Sequence, residues 1–410
     1  MTDSRCRFCN SILRETFADL GLSPLANSYV SPDRAREMEG FYPLHAFVCS
    51  ECRLVQLEEF ATPDSIFSDY LYFSSFSDAW LRHAEAYVGL VAERFGLNRD
   101  SRVIEVASND GYLLQYFHRR GVPVLGIEPA QNIAQVAIKK GIPTEVAFFG
   151  KKTASRLRDS GTAADLMVAN NVVAHVPDIN DFVGGFAVLL KPDGVVTFEF
   201  PHLAHLIAEN EFDTIYHEHF SYLSLHVIQR VLKKHGLRVF DVDELPTHGG
   251  SLRVFACRED SKAHAQQAAV ARILADELKA GLEGMEVYRD FARAVVDTKC
   301  RVLEFLIDAR RAGKRVVAYG APAKGNTLLN YCGIGTDLLQ FTVDRSPHKQ
   351  GLLLPGSRLP IKAPEALIAA RPDYVLILAW NWAAEIVEQM AEVRSWGGQF
   401  VVPIPKIELI

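Results

Sequence analysis

The chain has 410 residues, enough for two or three domains of ordinary size, and a formal net charge of −6. Its hydrophobic fraction of 49% and charged fraction of 23% are typical of a globular protein, and its charge gives no reason to expect a nucleic acid or an anionic membrane as partner. The N-terminus shows no apolar signal segment, and no apolar run approaches about 18 residues, so we expect a cytoplasmic protein that binds a small molecule or another protein.

The cysteines fall into two groups. Cys6 and Cys9 form one C-x2-C pair, and Cys49 and Cys52 form a second about forty residues later. Both thiolates of such a pair reach one ion, so two pairs complete a closed four-sulfur shell without a position for water. The spacing predicts a structural zinc ion in a small β module, rather than unrelated cysteines or a redox pair. The other three stand singly in apolar surroundings and are predicted to be buried core thiols: Cys257, Cys300 and Cys332.

Aromatic residues alternate with hydroxyl residues between positions 58 and 80. The pattern is typical of a strand or core-facing stripe, and equally of tyrosines that line a pocket, for which Tyr70 and Tyr72 are the candidates. Apolar periodicity over residues 79–95 then predicts a helix that Gly96 ends.

Residues 102–114 have the pattern of a buried strand, a tight turn and the start of a helix. A second strand at 123–127 is followed by Glu128. This arrangement predicts the ligand crevice of a doubly wound sheet, in which an acid at the tip of the second strand accepts hydrogen bonds from ribose hydroxyls. Further strands are predicted at 164–168, before Asn170 and Asn171, and at 194–200.

The turn after the first of these strands favours one class of cofactor. A dinucleotide fingerprint requires three spaced glycines, whereas this turn has Gly111 and the acids Glu105 and Asp110, which repel phosphate. An acid-bearing turn suits the cationic sulfonium of S-adenosylmethionine, and the run resembles a variant of the first motif of Rossmann-like methyltransferases that use this cofactor. A purely structural turn is the alternative. The predicted cofactor-binding residues are Glu105, Ala107, Asn109, Asp110, Gly111, Glu128, Asn170 and Asn171.

Four consecutive residues, Tyr216, His217, Glu218 and His219, carry acid/base-capable side chains. The run favours neither helix nor strand, so we predict a loop over a pocket, where polar side chains are usually present to meet a ligand. Flanking aromatic residues are predicted to hold it: Phe212, Phe220 and Tyr222. A solvated loop whose histidines bind only backbone is the alternative.

The C-terminal part is predicted to be α/β as well. A helix at 227–235 precedes strands at 237–242 and 251–257. The turn between these strands is predicted to present His248 to the pocket, with Arg253 as a second candidate; a plain hairpin connection is the alternative. Two helices over 262–311 lead to strands near 315–320, 339–343, 372–381 and 399–402. The first turn of this unit carries Lys324 and Asn326, and we predict that a phosphate group of the ligand binds there at the helix N-terminus. The alternative is that this unit has only a packing role.

Taken in order, these parts resemble the nucleotide-sugar C-methyltransferases of deoxysugar pathways. The resemblance spans nearly the whole chain and rests on the two C-x2-C pairs, residues 105–111, residues 216–220, residues 248–250, and residues 319–324 with 332–335. It implies a zinc-binding N-terminal module (1–70), a central Rossmann-like class I methyltransferase domain (71–258) and a second Rossmann-like α/β domain (259–410) that helps to bind a nucleotide sugar.

The family methylates the carbon beside the keto group of a dTDP-linked 4-keto-6-deoxyhexose, typically C3, and its base matches His219. Removing an α-proton needs a base with a pKa near working pH, which imidazole supplies. Tyr216 and Tyr72 are the predicted donors to the enolate oxygen, and Glu218 would orient His219 or bind the sugar. The predicted substrate-binding residues are His217, His248, Lys324 and Asn326.

Three other functions remain open at this point. An NAD-dependent sugar dehydrogenase would also use Glu128, but the chain lacks the glycine fingerprint. An N- or O-methyltransferase would need a weaker base than His219. A scaffold whose zinc module docks a partner protein would tolerate changes at His219 or Glu218.

Overall fold

The computed structural model describes residues 4–60 and 73–410, except for the side chain of His248. Within these ranges the strands form three sheets of four, seven and six strands, with helices packed between and around them. The predicted α/β class is confirmed. Tyr70 and Tyr72 lie outside the described residues.

The strands and helices alternate through most of the chain. The strands are β1 (Glu15–Ser23), β2 (Tyr42–Val48), β3 (Val55–Leu57), β4 (Val103–Val106), β5 (Val124–Ile127), β6 (Thr144–Glu145), β7 (Ala164–Asn170), β8 (Leu190–Pro201), β9 (Ser221–Tyr222), β10 (Leu237–Leu245), β11 (Ser251–Arg258), β12 (Val316–Tyr319), β13 (Thr342–Val343), β14 (Ile361–Lys362), β15 (Tyr374–Ile377), β16 (Gln399–Val402) and β17 (Glu408–Leu409). The helices are α1 (Asp78–Arg94), α2 (Leu114–Arg119), α3 (Gln131–Lys139), α4 (Lys151–Asp159), α5 (Ile179–Leu189), α6 (Leu203–Ala208), α7 (Leu225–Lys234), α8 (Ala268–Lys279), α9 (Glu286–Arg311), α10 (Ala323–Cys332), α11 (Glu365–Ala370) and α12 (Ala383–Gln389).

The N-terminal sheet is antiparallel and has the order β1-β2-β3-β9. Its last strand comes from a distant part of the chain, and Gln56 of β3 lies opposite Ser221 of β9. The predicted loop at 216–222 is therefore attached at one end to the sheet of the zinc module.

The central sheet has the order β10-β11-β8-β7-β4-β5-β6. Five neighbouring strands of this sheet are parallel to one another: β8, β7, β4, β5 and β6. Strand β11 pairs with β8, and β10 pairs with β11, both in antiparallel fashion. All four residues of β4 are buried, as expected for a strand with helices on both faces. The predicted strands and helices of this unit are confirmed, with boundaries that shift by a few residues.

The C-terminal sheet has the order β14-β13-β12-β15-β16-β17, and only its last strand is antiparallel. The long helix α9 joins it to the rest of the molecule. Phe291 of α9 stacks on Phe17 of β1 with ring centroids 4.4 Å apart, and Tyr288 meets the same ring edge-on at 6.0 Å. The zinc module and the C-terminal unit therefore share one apolar core.

The single cysteines do not all behave as predicted. Cys257 and Cys332 are buried, but Cys300 is exposed. Cys300 lies midway between the buried Thr298 and Val302 of α9, so the helical repeat turns it to the outer face. In the described part of the chain, no helix is both long and apolar enough to cross a membrane.

Candidate functional site

The turn after β4 has an unusual backbone. Ala107, Asn109 and Gly111 all have positive φ, at 54°, 49° and 78°. The N–H groups of Ala107 and Ser108 both donate to the carbonyl of Ile127, at 2.7 and 3.3 Å, which fastens the turn to the end of β5. A Cβ on Gly111 would lie 3.1 Å from Ile142, so both conformation and space favour glycine there.

Glu128 holds this turn from the neighbouring strand. One carboxylate oxygen accepts the N–H of Asn109 at 2.9 Å, and the other accepts the N–H of Ala130 at 2.8 Å. Burial raises the pKa of Glu128, and these two backbone donors oppose the shift. The carboxylate keeps further lone pairs, so the predicted role in binding ribose stays a prediction.

Several buried acceptors at this edge of the sheet have no donor among the described residues. They are Glu105 Oε2, Asp110 Oδ1 and Asn170 Oδ1. Burial, together with the nearby Glu128, raises the pKa of Glu105 well above its usual value. S-adenosylmethionine offers an ammonium group, ribose hydroxyls and an adenine amine, all donors, whereas the phosphates of a dinucleotide are acceptors. The unpaired acceptors therefore fit the methyl donor.

The segment just before α1 covers the same turn. The N–H of Ser74 donates to Asn109 Oδ1 at 2.9 Å, and Ser75 donates its hydroxyl to Asp110. Lys140 also pairs with Asp110, at 3.0 Å, and so compensates part of the negative charge that the sequence placed at the turn. Asn171, another predicted cofactor residue, has φ 55° and donates its N–H to the carbonyl of Glu199 at 2.7 Å.

We call residues 211–222 the catalytic loop, because the sequence predicts that it carries catalytic residues. It starts with a short 3-10 turn and ends in β9, and the predicted aromatic supports Phe212, Phe220 and Tyr222 are buried. The N–H of Phe220 donates to the carbonyl of Ala174 at 2.7 Å. Because Ala174 follows β7 closely, this bond holds the loop at the carboxyl edge of the central sheet, on the same side as Asn170.

His219 has a defined tautomer. Its Nδ1 lies 3.0 Å from the carbonyl oxygen of Thr214, and since a carbonyl only accepts, Nδ1 carries the proton of the neutral ring. The lone pair is then on Nε2. The ring packs against Tyr216 and His175, with centroids 4.1 and 4.6 Å away.

His175 is a residue that the sequence reasoning missed. It ends the short turn Val173–His175 after β7 and comes five positions after Asn170. A histidine just beyond the carboxyl end of a predicted central strand was the available signal, because that edge binds ligands in open α/β sheets.

The two middle residues of the tetrad point into protein. His217 Nε2 donates to the carbonyl of Pro43 at 3.1 Å, and burial lowers the pKa of His217. Glu218 accepts a hydrogen bond of 2.7 Å from the amide of Asn27, and burial raises the pKa of Glu218. Tyr216 and His219 remain partly exposed. These two are therefore the members of the tetrad best placed to meet a substrate.

The predicted substrate-binding residues of the C-terminal unit contact protein groups. Lys324 Nζ lies 3.1 Å from Asn381 Oδ1 and 4.1 Å from the centre of the Trp380 ring, and burial lowers its pKa against the opposing charges of Asp213 and Glu211. Asn326 is buried and donates to the carbonyl of Ala26 at 2.6 Å. Their roles in substrate binding stay predictions.

The backbone of the turn after β10 lies close to the side chain of Glu211. Gly249 has φ 91°, and a Cβ there would lie 2.2 Å from the carboxylate of Glu211. The side chain of His248 lies outside the described part of the structure. Arg253 is buried and pairs with Glu199 at 2.8 Å, beside His83, so its charge is already compensated within the protein.

The four N-terminal cysteines meet the geometric demands of zinc. Their sulfur atoms all lie within 4.8 Å of one another, and the Cys6–Cys52 and Cys9–Cys49 pairs are 3.5 Å apart. A tetrahedron with Zn–S bonds of about 2.3 Å has edges of about 3.8 Å, close to these distances. Gln56 Nε2 also lies 3.2 Å from the Cys6 sulfur, as a supporting donor does in such sites.

Comparison with known proteins matches every part of the chain. Residues 6–67 match a family model described as a zinc binding domain, residues 80–242 a methyltransferase domain, and residues 246–405 a C-methyltransferase C-terminal domain. The C-methyltransferase NovU of Streptomyces niveus is 38% identical over 405 residues, which are 99% of this chain and 96% of NovU.

More distant proteins match the central part only. A ubiquinone biosynthesis O-methyltransferase of Bartonella bacilliformis is 28% identical over 96 residues, which are 23% of this chain and 39% of the relative. The structure of magnesium protoporphyrin IX methyltransferase from Synechocystis PCC 6803 has 15% identity, covers 48% of this chain and 88% of its own, and has a TM-score of 0.34, too low to carry an argument.

The match to NovU over nearly the full length and the three family models agree with the positions of the turn and of the cysteine cluster described above. The turn at 107–111 belongs to the S-adenosylmethionine-binding methyltransferase domain, and the four cysteines belong to its zinc module. The chain is a member of the C-methyltransferase family and uses S-adenosylmethionine as methyl donor and zinc as a structural ion.

Proposed function

We propose that this C-methyltransferase acts at C3 of an NDP-linked, most simply dTDP-linked, 4-keto-6-deoxy sugar, through an enolate that His219 generates. S-adenosylmethionine supplies the electrophilic methyl group. The remaining tasks fall to the chain: to remove a proton from carbon, to stabilise the charge that appears on oxygen, and to hold the two reactants in a site that excludes water.

One observation carries the proposal, namely the tautomer and location of His219. The bond from Nδ1 to the Thr214 carbonyl leaves a basic lone pair on Nε2 in a ring that is partly exposed. The neighbouring loop bond from Phe220 to Ala174 holds it at the carboxyl edge of the sheet whose turn suits the methyl donor. Methylation of carbon requires such a base, since the α-proton must leave before the carbon becomes nucleophilic.

In the proposed first step, His219 Nε2 takes the proton from C3. The electrons of the C–H bond become the C3–C4 double bond of the enolate, and the carbonyl oxygen at C4 gains negative charge. The phenol of Tyr216, whose ring lies against His219, is the first predicted donor to that oxygen, and Tyr72 is the second. The ring of His175, whose centroid lies 4.6 Å from that of His219, is an additional candidate for proton handling.

Glu218 has two predicted roles, orienting His219 or binding the sugar. The carboxylate accepts a hydrogen bond from Asn27, and Nδ1 of His219 donates to Thr214. Neither bond joins Glu218 to His219, so we retain the second role, in which the carboxylate accepts hydrogen bonds from sugar hydroxyls.

The test is incubation with S-adenosylmethionine and a panel of dTDP- and GDP-linked 4-keto-6-deoxy sugars, followed by mass spectrometry and NMR of the sugar nucleotide. We expect a product heavier by one methylene, with the new methyl group on C3. A new methyl on oxygen or nitrogen would overturn the enolate mechanism. A methyl group on another carbon beside the ketone would support the general-base mechanism but refute methylation at C3. Donor binding without product from any sugar would overturn the substrate class.

A further inference from the structure

Residues 24–30, which we call the strap, connect β1 to the rest of the zinc module and pass over the C-terminal unit. The amide of Asn326 donates to the carbonyl of Ala26 at 2.6 Å, and the hydroxyl of Tyr29 donates to the carbonyl of Ala321 at 2.6 Å. The N–H of Val30 donates to the carbonyl of Leu353 at 3.0 Å. The strap is therefore fixed along one side to α10, to the turn before it and to Leu353 of the C-terminal unit.

Asn27 extends from the strap to the catalytic loop. Its Nδ2 donates to Glu218 Oε1 at 2.7 Å, across 191 positions of the chain. Asn27 itself is exposed, whereas Glu218 is only 7% exposed. A buried carboxylate that lacks donors loses its hydration without compensation, so a single charge-assisted hydrogen bond has a large influence on it.

We propose that Asn27 is a positioning residue, which fixes the carboxyl of Glu218 through a direct hydrogen bond and favours its ionised form. The role of Glu218 in catalysis rests on the proposed function, but its interaction with Asn27 does not. Asn27 acts through Glu218, and the zinc module thereby contributes to the active site as well as to stability.

The charge on Glu218 depends on few neighbours. Burial raises its pKa, and the amide of Asn27 lowers it. Tyr29 is the titratable group of the strap; burial raises the pKa of its phenol, and the charges of Asp344 and Glu218 add to this shift. His217 and His219 adjoin Glu218 on its own loop. Loss of the Asn27 donor would therefore shift the Glu218 equilibrium toward the neutral acid.

Infrared difference spectroscopy of the full-length zinc-loaded protein tests the proposal without any substrate. The carboxyl band of Glu218 is assigned by its absence in Glu218→Gln, and its titration is followed in wild type, Asn27→Ala and Asn27→Gln. We expect the midpoint to rise by about 1 pH unit in Asn27→Ala, the shift that loss of one hydrogen bond to a charged group produces. In Asn27→Gln, which keeps an amide donor at an exposed position, the midpoint should return most of the way to its wild-type value.

The matched control is Ser28→Ala, at the next residue of the strap, which is also exposed. It should leave the midpoint unchanged. An equal midpoint in wild type and Asn27→Ala, in variants of normal thermal stability, overturns the proposal. Where Asn27→Ala is too unstable to titrate, Asn27→Asp gives the same test, since replacing the donor by a second acid should also raise the midpoint.

Kinetics separates this inference from the proposed function. With S-adenosylmethionine and a dTDP-4-keto-6-deoxy sugar, Asn27→Ala should lower kcat/KM about tenfold, and it should have almost no further effect in the Glu218→Gln background. A shifted infrared midpoint with unchanged turnover would support the Asn27 contact and refute the catalytic role of Glu218. An unchanged midpoint together with normal sugar methylation would refute the contact and leave the proposed function intact.

Discussion

The central and C-terminal α/β units fasten their first turns with the same arrangement of a carboxylate. In the central unit, Glu128 after the second strand accepts the N–H of Asn109 at 2.9 Å and an N–H two residues beyond itself at 2.8 Å. In the C-terminal unit, Asp344 accepts the N–H of Ala321 at 2.8 Å and, again, an N–H two residues beyond itself at 2.8 Å. The carboxylate that fastens each turn therefore does not distinguish the two units.

What surrounds each turn does distinguish them. Beside the central turn, the buried oxygens of Glu105 and Asn170 lack donors within the described structure, as expected where a ligand completes the site, and after the C-terminal turn Asn326 Oδ1 also lacks a donor. After the C-terminal turn, Asn326 binds the strap and Thr327 donates to the carbonyl of Ile215 in the catalytic loop at 3.1 Å. We infer that the central turn binds the methyl donor and that the C-terminal turn supports the catalytic loop.

The sharpest test of this division of labour lies in the central unit. His219→Asn should lower turnover by about 10³-fold, since a general base contributes about 10² to 10⁴-fold, while the dissociation constant for S-adenosylmethionine stays near its wild-type value. Turnover is measured by mass spectrometry and donor binding by calorimetry. His118→Asn, at an exposed position near the end of α2, is the control. Wild-type turnover in His219→Asn would remove this residue from the mechanism.

A paired substitution compares the two carboxylates directly. Glu128→Gln replaces an acceptor with an amide facing a backbone N–H and should weaken donor binding about 10 to 100-fold, because hydrogen bonds to charged groups contribute about 1.5 to 3 kcal/mol. Asp344→Asn should lower the thermal midpoint and leave donor affinity unchanged. Equal losses of donor affinity in both variants would show that the C-terminal turn also affects the donor site.

Lys324 decides whether the C-terminal turn binds substrate. If its ammonium mainly compensates Asp213 and Glu211, Lys324→Met should destabilise the protein by about 3 kcal/mol, as the removal of one partner from a buried charge cluster does, and change the KM for the sugar nucleotide less than threefold. Chemical denaturation and steady-state kinetics measure both quantities. Lys362→Met, at an exposed position, is the control. A KM raised more than tenfold with normal stability would instead establish the predicted phosphate contact.

The sequence was sufficient for features that depend on local spacing. Two C-x2-C pairs predicted the sulfur cluster, and the acid-bearing turn predicted the cofactor class. Each of these motifs is defined by residues only a few positions apart, and the C-x2-C motif occurs twice. Neither motif therefore requires knowledge of a tertiary contact to be recognised.

The sequence was insufficient where the packing of separate units decides the environment. Nothing near Glu218 in the sequence indicates that Asn27 will reach it, and nothing near Lys324 indicates that Asp213 and Glu211 will lie close to its ammonium group. Cys300 shows the same limit on a smaller scale, since the prediction that it is buried did not take account of which face of α9 it occupies. Contacts between distant segments depend on how the three sheets pack against one another. A short sequence motif carries no information about that packing.

The smallest expected effect concerns the pH dependence of stability. Burial raises the pKa of Asp213 to about 6 from an ordinary value of 3.8, although Lys324 and the Trp380 N–H, 2.7 Å away, oppose the shift. The folded state therefore binds this proton more tightly than the unfolded state, and the stability it contributes is present below pH 3.8 and lost as the pH rises through 6.

Asp213→Asn removes the proton but keeps an acceptor for Trp380. Urea denaturation between pH 4 and pH 7 should show a smaller loss of stability with rising pH than in wild type, by at most about 3 kcal/mol for a difference of about 2 pH units. Asp297→Asn, at an exposed position on α9, should follow the wild-type curve. Parallel curves for Asp213→Asn and wild type would mean that this carboxyl titrates alike in both states. The contact between the catalytic loop and the C-terminal unit would then not depend on a proton held by Asp213.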